Sequence, residues 1–300
     1  MPSESQAPEP IGTKLPTAGS DRADLPDYAP QQTAFHRAFA PELRRALRSL
    51  PMGPRYRILD CPCGDGFYTR LLADRLSTGG RITACDLSPD YLAEARSRME
   101  SCASPAECEF VEANAYDLPF ADGSFDLVWC AESLITLDEP MVALAEFRRV
   151  VKPGGLVAVL ETDEFHRVII NWSVELELAV HQAVVAATRH KYGPSWGGSP
   201  SRRVGRWLRK SGLTPIRKRT FAADRSSRFS PSTADFLALH LKQLRETIAP
   251  FMPAADLRTF DEMCDSGNAT SIYRRTDAEV LSLFKLFVAR KPSEAEAGSE

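Results

Sequence analysis

The sequence predicts an α/β domain that contains a nucleotide site, and two stretches carry this prediction. In the first, at 57–72, an apolar run stops at Asp60, passes through a small-residue loop and resumes with helical spacing, the pattern of strand, tight turn and helix. In the second, a candidate strand at 81–85 ends in Asp86, twenty positions after Gly66. Glycine lets backbone approach a ligand, the following helix points free N–H groups into the same space, and a carboxylate can accept hydrogen bonds from both hydroxyls of a ribose.

Four motifs extend this pattern over residues 56–161. They are, in order, LDCPCGDG, ACDLSP, ANAYDLPFADGSFDLVWC and RRVVKPGGLVAVLE. With these motifs the chain resembles the class I S-adenosylmethionine-dependent methyltransferases, in the small-molecule branch that includes the quinone-biosynthesis C-methyltransferases. The resemblance implies a doubly wound, seven-stranded, mostly parallel sheet of the Rossmann-like type, with N-terminal helices and a helical excursion before the last strand. It also implies S-adenosylmethionine as methyl donor and S-adenosylhomocysteine as product.

The resemblance also implies where the donor binds. Asp60 is expected to orient the loop and approach the methionine amino group, and Asp86 to hold the ribose. Gly64 and Gly66 are expected to cradle the methionine moiety. The expected donor contacts are Asp60, Pro62, Cys63, Gly64, Asp65, Gly66, Asp86, Leu87, Asn114, Ala115, Cys130 and Ala131.

The later motifs supply the adenine side and the methionine side of that site. Leu87 is expected to flank the adenine, Asn114 to bond the edge of the ring, and Ala115 to leave room for it. Cys130 and Ala131 are expected to meet the methionine portion through their backbone.

One loop position departs from the family pattern. The family's first loop glycine is Pro62 here, so the turn must tolerate a fixed φ and a missing N–H donor at that point.

The segment before the motifs predicts disorder and then helix. Residues 1–28 are rich in Pro, Ser, Glu and Gly without periodic apolar positions, so they cannot bury enough surface to offset their ordering entropy. Residues 34–50 predict one or two amphipathic helices, with Pro41 beginning the second. In the resembled family such helices cover the donor and shape the acceptor pocket. Phe35, His36 and Phe39 are therefore candidate acceptor contacts, with simple core packing as the alternative.

Between and after the motifs, helices and strands alternate. A helix at 89–99 is capped by Ser88, and Lys152–Gly155 is expected to end the helix before the fifth strand with a turn. The resemblance makes the last strand antiparallel and inserts it between its neighbours. The remaining predicted strands lie at 107–112, 125–130, 156–160, 214–221 and 283–289, and the remaining helices at 141–150, 172–192, 202–211, 231–248 and 254–264.

These elements predict a single domain over 29–291, followed by a disordered tail at 292–300. Within the domain we expect a donor-binding core at 55–161 and acceptor-side helices at 30–50, 165–200 and 231–266.

Methyl transfer needs no nucleophilic side chain from the protein, but carbon and oxygen acceptors need to lose a proton. His166, five residues beyond Glu161 at the mouth of the site, is the first candidate base, and Glu132 and Asp163 are the second candidates on position alone. A surface or core histidine and a capping or solvated acid are the alternatives. Aromatic residues that could contact a planar or apolar acceptor, or equally belong to the core, are Phe165, Trp172 and Trp196.

Composition limits the partners. The chain has 300 residues and a net charge of -3, which gives no general attraction to nucleic acid, and it shows no membrane-spanning run or secretory leader. We therefore expect a cytoplasmic monomer or homodimer that acts on a small molecule. The seven cysteines fit reduced, buried thiols, and no metal site is expected because the Cys61 and Cys63 pair lacks further ligands at workable spacing.

Three other functions remain open. An RNA methyltransferase could use the basic stretch at 202–219, although a solvated helix face is the commoner explanation of such a run. A nicotinamide oxidoreductase also binds its cofactor with a glycine-rich loop and a following acidic residue, but the loop of this chain lacks a full GxGxxG. A non-catalytic subunit that binds S-adenosylmethionine would share every donor motif.

Overall fold

The structure is a computed structural model, and it describes residues 29–163, 167–193 and 200–293, except for the side chain of Tyr192. The described residues form two compact units. The larger comprises 29–163, 167–169, 200–225 and 280–293, and the smaller comprises 170–193 and 226–279. The segment predicted as disordered at 1–28 lies outside the described residues, as do residues 294–300 of the tail predicted at 292–300 and the candidate site residues Phe165, His166 and Trp196.

The sheet has the predicted doubly wound topology. Its strands are β1 Arg57–Asp60, β2 Arg81–Asp86, β3 Glu107–Glu112, β4 Phe125–Ala131, β5 Val151–Thr162, β6 Ile169–Ile170, β7 Ile216–Ser226 and β8 Glu279–Arg290. Their order is β3-β2-β1-β4-β5-β8-β6, and β7 also pairs with β8. With the two-residue β6, the described part of the chain forms eight strands, one more than expected.

Strand direction confirms the expected arrangement. The first five strands are parallel, with β1 between β2 and β4. Strand β8 runs antiparallel to β5 and also pairs with β7, as the resemblance implied. Chain order reverses between β1 and β4, and open α/β sheets bind ligands beyond the carboxyl ends of strands at such a point.

The helices follow the predicted alternation. Ser88 caps one of them by accepting a hydrogen bond from the N–H of Tyr91 at 3.3 Å, with Pro89 as its first residue. The helices are α1 Ala29–Arg48, α2 Phe67–Ala73, α3 Pro89–Glu100, α4 Pro140–Val150, α5 Val174–Tyr192, α6 Val204–Lys210, α7 Pro231–Ile248 and α8 Ala254–Cys264, with short 3-10 turns at Pro200–Arg203 and Ala249–Phe251.

Helix α1 corrects one expectation, because Pro41 lies inside it and begins no second helix. A proline removes one backbone hydrogen bond from a helix interior. The buried stripe continues through the proline, with Phe35 and Phe39 before it and Leu43 and Leu47 after it. Burial of this stripe outweighs the lost hydrogen bond.

Strand β5 corrects a second expectation, because Lys152–Gly155 belongs to the strand and forms no separate turn. Val151 pairs with Phe125, and the next pair is Leu156 with Leu127, so the four residues between Val151 and Leu156 face the single residue Asp126. The helix ends at Val150 as expected, but this bulge absorbs the residues that were expected to form the turn, and Gly154 provides the positive φ of 79° that it needs.

The smaller unit is built from α5, α7 and α8 and the turns that join them. The rings of Trp172 and Phe260 lie 5.6 Å apart, and Arg245 on α7 pairs with Asp261 on α8 at 2.6 Å. None of the helices in the described part of the chain combines the length and hydropathy needed to cross a membrane.

Candidate active site

The loop between β1 and α2 presents open backbone at Gly64. This residue has φ 51°, and a Cβ built on it would meet no atom within 4 Å. The space beside it is therefore free on the side where a side chain would project. The loop lies at the carboxyl end of β1, next to the point where chain order reverses.

Gly66 serves a different purpose from Gly64. It has φ 75° and precedes α2, but a Cβ there would lie 2.8 Å from the Cα of Ala95 in α3. Its missing side chain therefore lets α3 pack closely against the loop. The expected contact of Gly66 with the donor stays a prediction.

Asp86 ties the end of β2 to this loop. Its Oδ2 accepts a hydrogen bond from the N–H of Gly64 at 2.9 Å, and its Oδ1 accepts one from the N–H of Ser88 at 3.0 Å. Burial raises the pKa of this carboxyl, although the backbone hydrogen bonds from Ser88, Gly64 and Leu87 oppose the rise. A carboxylate has about four acceptor sites, so Asp86 keeps acceptor capacity for a hydroxyl group.

Asp60 ends β1 and is almost completely buried. The hydroxyl of Thr69 donates a hydrogen bond to its Oδ2 at 2.6 Å. Burial raises the pKa of Asp60 from 3.8 to about 7, the charges of Asp86 and Asp65 add to the rise, and the bond from Thr69 opposes it. Ionised Asp60 thus carries a desolvation penalty that a bound cation would reduce.

Asp65 holds the loop to both neighbouring helices. Its Oδ1 accepts from the N–H of Phe67 at 3.0 Å, and its Oδ2 pairs with Arg98 of α3 at 2.5 Å. Both oxygens of its carboxylate are bonded to other groups of the protein, so any contact with a ligand would come from its backbone.

The other expected donor contacts lie at the carboxyl ends of the strands. Leu87 keeps 38% of its surface exposed, which is uncommon for a leucine and suits a residue that covers a ring. The side chain of Asn114 accepts from the N–H of Tyr116 at 3.0 Å and so shapes its own turn. Pro62 follows a cis peptide bond in the loop, and Cys63, Ala115, Cys130 and Ala131 are buried.

Glu132 directly follows β4 and has a positive φ of 54°. The hydroxyl of Tyr68 donates to its Oε1 at 2.5 Å, and the amide of Gln32 donates to its Oε2 at 2.5 Å. Burial opposes ionisation, but the neighbouring His36 and Arg167 and the hydroxyl of Tyr68 outweigh it and hold the pKa of Glu132 below its ordinary value. Glu132 is therefore a buried carboxylate that stays ionised.

His36 lies beside this carboxylate. Its ring stacks on Phe67, with centroids 4.0 Å apart and planes inclined by 8°, and Nε2 is 3.7 Å from Oε1 of Glu132. Phe35 and Phe39, the other candidate acceptor contacts of α1, are fully buried against Phe284. Of these three residues of α1, His36 is the one that lies beside the polar cluster formed by Glu132, Tyr68 and Gln32.

Asp163 does not lie free at the mouth of the site. It is buried and pairs with Arg202 at 2.9 Å and with Lys285 at 2.8 Å. Two cations stabilise its ionised form, so it is poorly suited to take a proton. Trp172 packs within the smaller unit against Phe260.

The basic stretch at 202–219 is divided among several elements. Arg202 pairs with Asp163, and Arg217, Lys218 and Arg219 follow one another on β7. Side chains alternate between the two faces of a strand, so Lys218 lies on the face opposite to Arg217 and Arg219.

Sequence reasoning did not identify Tyr68, Gln32 and Arg167 as neighbours of Glu132. Tyr68 occupies an apolar position of the helical pattern, which gives no sign that its hydroxyl bonds Glu132. Gln32 lies 100 positions from its partner, and neither residue belongs to a motif that names the other. No metal-binding group of three or more His, Cys, Asp or Glu side chains occurs among the residues that the structure describes.

Residues 59–159 match a family described as a methyltransferase domain. Over 121 residues the chain is 34% identical to a demethylmenaquinone methyltransferase of Staphylococcus aureus (strain MRSA252), an alignment that covers 40% of this chain and 49% of that protein. The chain thus spans about half the length of the curated relatives that it matches.

Two solved structures share the fold. A candidate methyltransferase of Bacillus halodurans superposes with a TM-score of 0.53 at 18% identity, covering 84% of this chain and 99% of that one. The YcgJ protein of Bacillus subtilis gives a TM-score of 0.52 at 13% identity, covering 85% of this chain and 99% of that one. At these identities the likeness establishes the α/β architecture.

Proposed function

We propose that this chain, which carries a class I S-adenosylmethionine-dependent methyltransferase domain related to those of the quinone methyltransferases, transfers a methyl group to a small-molecule acceptor. The observation that carries the proposal is the open backbone of Gly64, which is hydrogen-bonded to Asp86 at the reversal of strand order. This combination of a close backbone approach and a carboxylate one strand away is typical of nucleotide sites in open α/β sheets.

The residues of the loop fit S-adenosylmethionine. The open side of Gly64 leaves room for the methionine chain, and Asp86 keeps acceptor capacity for ribose hydroxyls. Asp60 is a buried carboxyl whose raised pKa reflects missing compensation, so a methionine ammonium group would stabilise its ionised form. The exposed Leu87 suits one face of the adenine.

S-adenosylmethionine supplies a methyl group that its sulfonium charge already activates for in-line displacement. The protein therefore has to orient the two reactants and exclude water. Helix α1 helps to exclude water, because Gln32 and His36 bring it against Glu132 at the carboxyl end of β4. The side chains around Glu132 then govern how the acceptor loses its proton when it is methylated.

The acceptor is a small organic molecule methylated at carbon or oxygen. Support comes from the Staphylococcus aureus relative, whose name refers to a quinone, and from the stacked rings of His36 and Phe67 beside the loop. The basic residues of β7 lie on alternating faces, which favours a small molecule over a nucleic-acid acceptor.

Calorimetric titration with S-adenosylhomocysteine tests the donor site directly. Gly64→Ala places a methyl group in the open space, so we expect its affinity to fall by at least about tenfold, a loss of about 1.4 kcal/mol. Gly154→Ala is the matched control, because Gly154 also has a positive φ, 79°, and open space at its Cβ position, but lies at the other end of the sheet in β5. Equal affinity in the two variants, or no binding to the wild-type chain, would contradict the proposal.

Turnover is measured with methyl-labelled S-adenosylmethionine and a panel of hydroquinones, phenols, amines and RNA. We expect label in a hydroquinone or phenol product. Tight donor binding without transfer to any compound would instead favour a non-catalytic donor-binding subunit.

A further inference from the structure

His36 is a buried imidazole that makes no hydrogen bond to any residue the structure describes. It is 5% exposed, and neither ring nitrogen makes a hydrogen bond within the described part of the chain. A buried polar group without a partner costs free energy, so natural proteins keep few of them. Those that persist call for an explanation, and a catalytic role is one of them.

The ring is held in place by contacts that leave its nitrogens unused. One face stacks on Phe67, and Tyr68 meets the ring edge at a centroid distance of 5.3 Å and 80°. Both contact residues open α2 and directly follow Gly66. His36 is therefore fixed next to the loop that would hold the donor.

The neighbour that matters for proton transfer is Glu132. Its Oε1 is 3.7 Å from Nε2 of His36, too far for a hydrogen bond but close enough to stabilise a positive charge on the ring. Tyr68 and Gln32 each donate to this carboxylate, so its position is fixed from two sides. The pKa of Tyr68 is raised well above its ordinary value by burial and by the charge of Glu132, so this hydroxyl stays a donor.

We propose that His36 is the catalytic proton acceptor of the methyl transfer and that Glu132 is its positioning residue. The inference rests on the proposed function and adds the acceptor class: a compound that must lose a proton to be methylated, namely a phenolic or enolic hydroxyl or a carbon acid. A neutral amine can react first and lose its proton to water afterwards.

The acceptor atom forms a bond to the methyl carbon while the carbon–sulfur bond breaks, and that electron pair remains on the sulfur. The acceptor's proton passes to a ring nitrogen of His36, and Glu132 compensates the positive charge of the imidazolium. Release of that proton to water restores His36.

The test uses phenols of graded acidity, from unsubstituted phenol to nitrophenols that are ionised at the assay pH. Removing a general base slows a reaction by about 10²–10⁴-fold. We expect His36→Asn to lose at least about 100-fold in kcat with weakly acidic phenols and to stay within about tenfold of wild type with ionised ones, which need no base. Glu132→Gln should show the same dependence on acidity with a smaller loss.

Two measurements keep the result interpretable. S-adenosylhomocysteine affinity, measured by calorimetry, should be unchanged within about twofold in His36→Asn, because the imidazole does not belong to the donor loop. His190→Asn serves as the control, since this exposed imidazole lies in the smaller unit beside Phe251. It should behave as wild type with every phenol.

The outcomes separate the two proposals. A loss in His36→Asn that is equal for all phenols, or a wild-type chain that methylates only amines, would overturn the role of His36 and leave the methyltransferase assignment intact. A wild-type chain that neither binds donor nor transfers methyl would reject the proposed function, and the role of His36 with it.

Discussion

The loop around Gly64 and the cluster around Glu132 lie at the carboxyl ends of neighbouring strands, yet they are encoded in different ways. The loop is formed by residues adjacent in sequence, and Asp86, which is hydrogen-bonded to Gly64, lies only 22 positions after it. The cluster joins Gln32 to Glu132 across 100 positions through hydrogen bonds between side chains. Local backbone requirements produce a motif that can be recognised in the sequence. Hydrogen bonds between side chains of distant segments produce no such motif.

The largest expected effect concerns Asp60, which ends β1 where the loop begins. Its folded-state pKa of about 7 lies above the ordinary 3.8, so between these values the folded state binds more protons than the unfolded state and the free energy of unfolding falls as pH rises. At about 1.4 kcal/mol per unit, the wild-type chain should lose about 4 kcal/mol from this group between pH 4 and pH 8. Asp60→Asn cannot ionise, so it should be more stable than wild type at pH 8, with the difference shrinking toward pH 4.

Urea unfolding at several pH values measures this difference. Asp122→Asn, which changes a largely exposed carboxylate, is the control and should follow the wild-type curve. If Asp60→Asn and wild type lose stability in parallel from pH 4 to pH 8, burial of the Asp60 charge is not what opposes folding.

In the cluster, Glu132→Leu should destabilise the chain by about 3 kcal/mol, because the donors of Tyr68 and Gln32 then remain buried without an acceptor. Glu132→Gln keeps one acceptor oxygen and should lose less. Thermal unfolding monitored by circular dichroism gives both values. A leucine variant as stable as wild type would mean that these hydrogen bonds contribute little to folding.

Asp86→Ala returns to the loop and should weaken S-adenosylhomocysteine binding by more than about tenfold, or about 1.4 kcal/mol. It removes the expected ribose contact and the acceptor for the N–H groups of Gly64 and Ser88. Calorimetry measures the affinity, and a circular dichroism spectrum like that of wild type controls for folding. Unchanged affinity in a folded variant would remove Asp86 from the site.

The smallest effect should come from Arg225→Ala, which loosens the attachment of α1. Arg225 pairs with Glu42 at 2.8 Å and donates to the carbonyl of Ala38 at 2.9 Å. Since the pair is only partly shielded from water, we expect a loss of about 1 kcal/mol in stability. Hydrogen exchange should then increase in α1 and stay unchanged in α3; equal increases in both helices would show that the bond does not act on α1 in particular.

The sequence predicted those parts of the fold that depend on local chemistry. Ser88 and Pro89 begin α3 as expected, and the resemblance anticipated β8 between β5 and β7. Pro41 misled because a local rule for helix starts was weaker than the burial of the α1 stripe. The stretch Lys152–Gly155 misled because turn residues can also be absorbed by a bulge.

The same division applies to the site. Gly64 and Asp86 could be named from spacing, and they are hydrogen-bonded to each other in the structure. Gly66 was named correctly as a loop glycine, but that Ala95 fills the space at its Cβ position depends on how α3 packs, which spacing cannot reveal. The ligand roles of all these residues stay predictions until donor binding is measured.

The position of β8 also has a consequence for biosynthesis. Strands β1–β5 are complete once Thr162 has left the ribosome, and they pair with one another without help from later residues. Among the described strands, β7 pairs with the sheet only through β8, which ends at Arg290. During translation the nascent chain can therefore assemble its parallel half early, while β7 can join the sheet only after β8 has been synthesised.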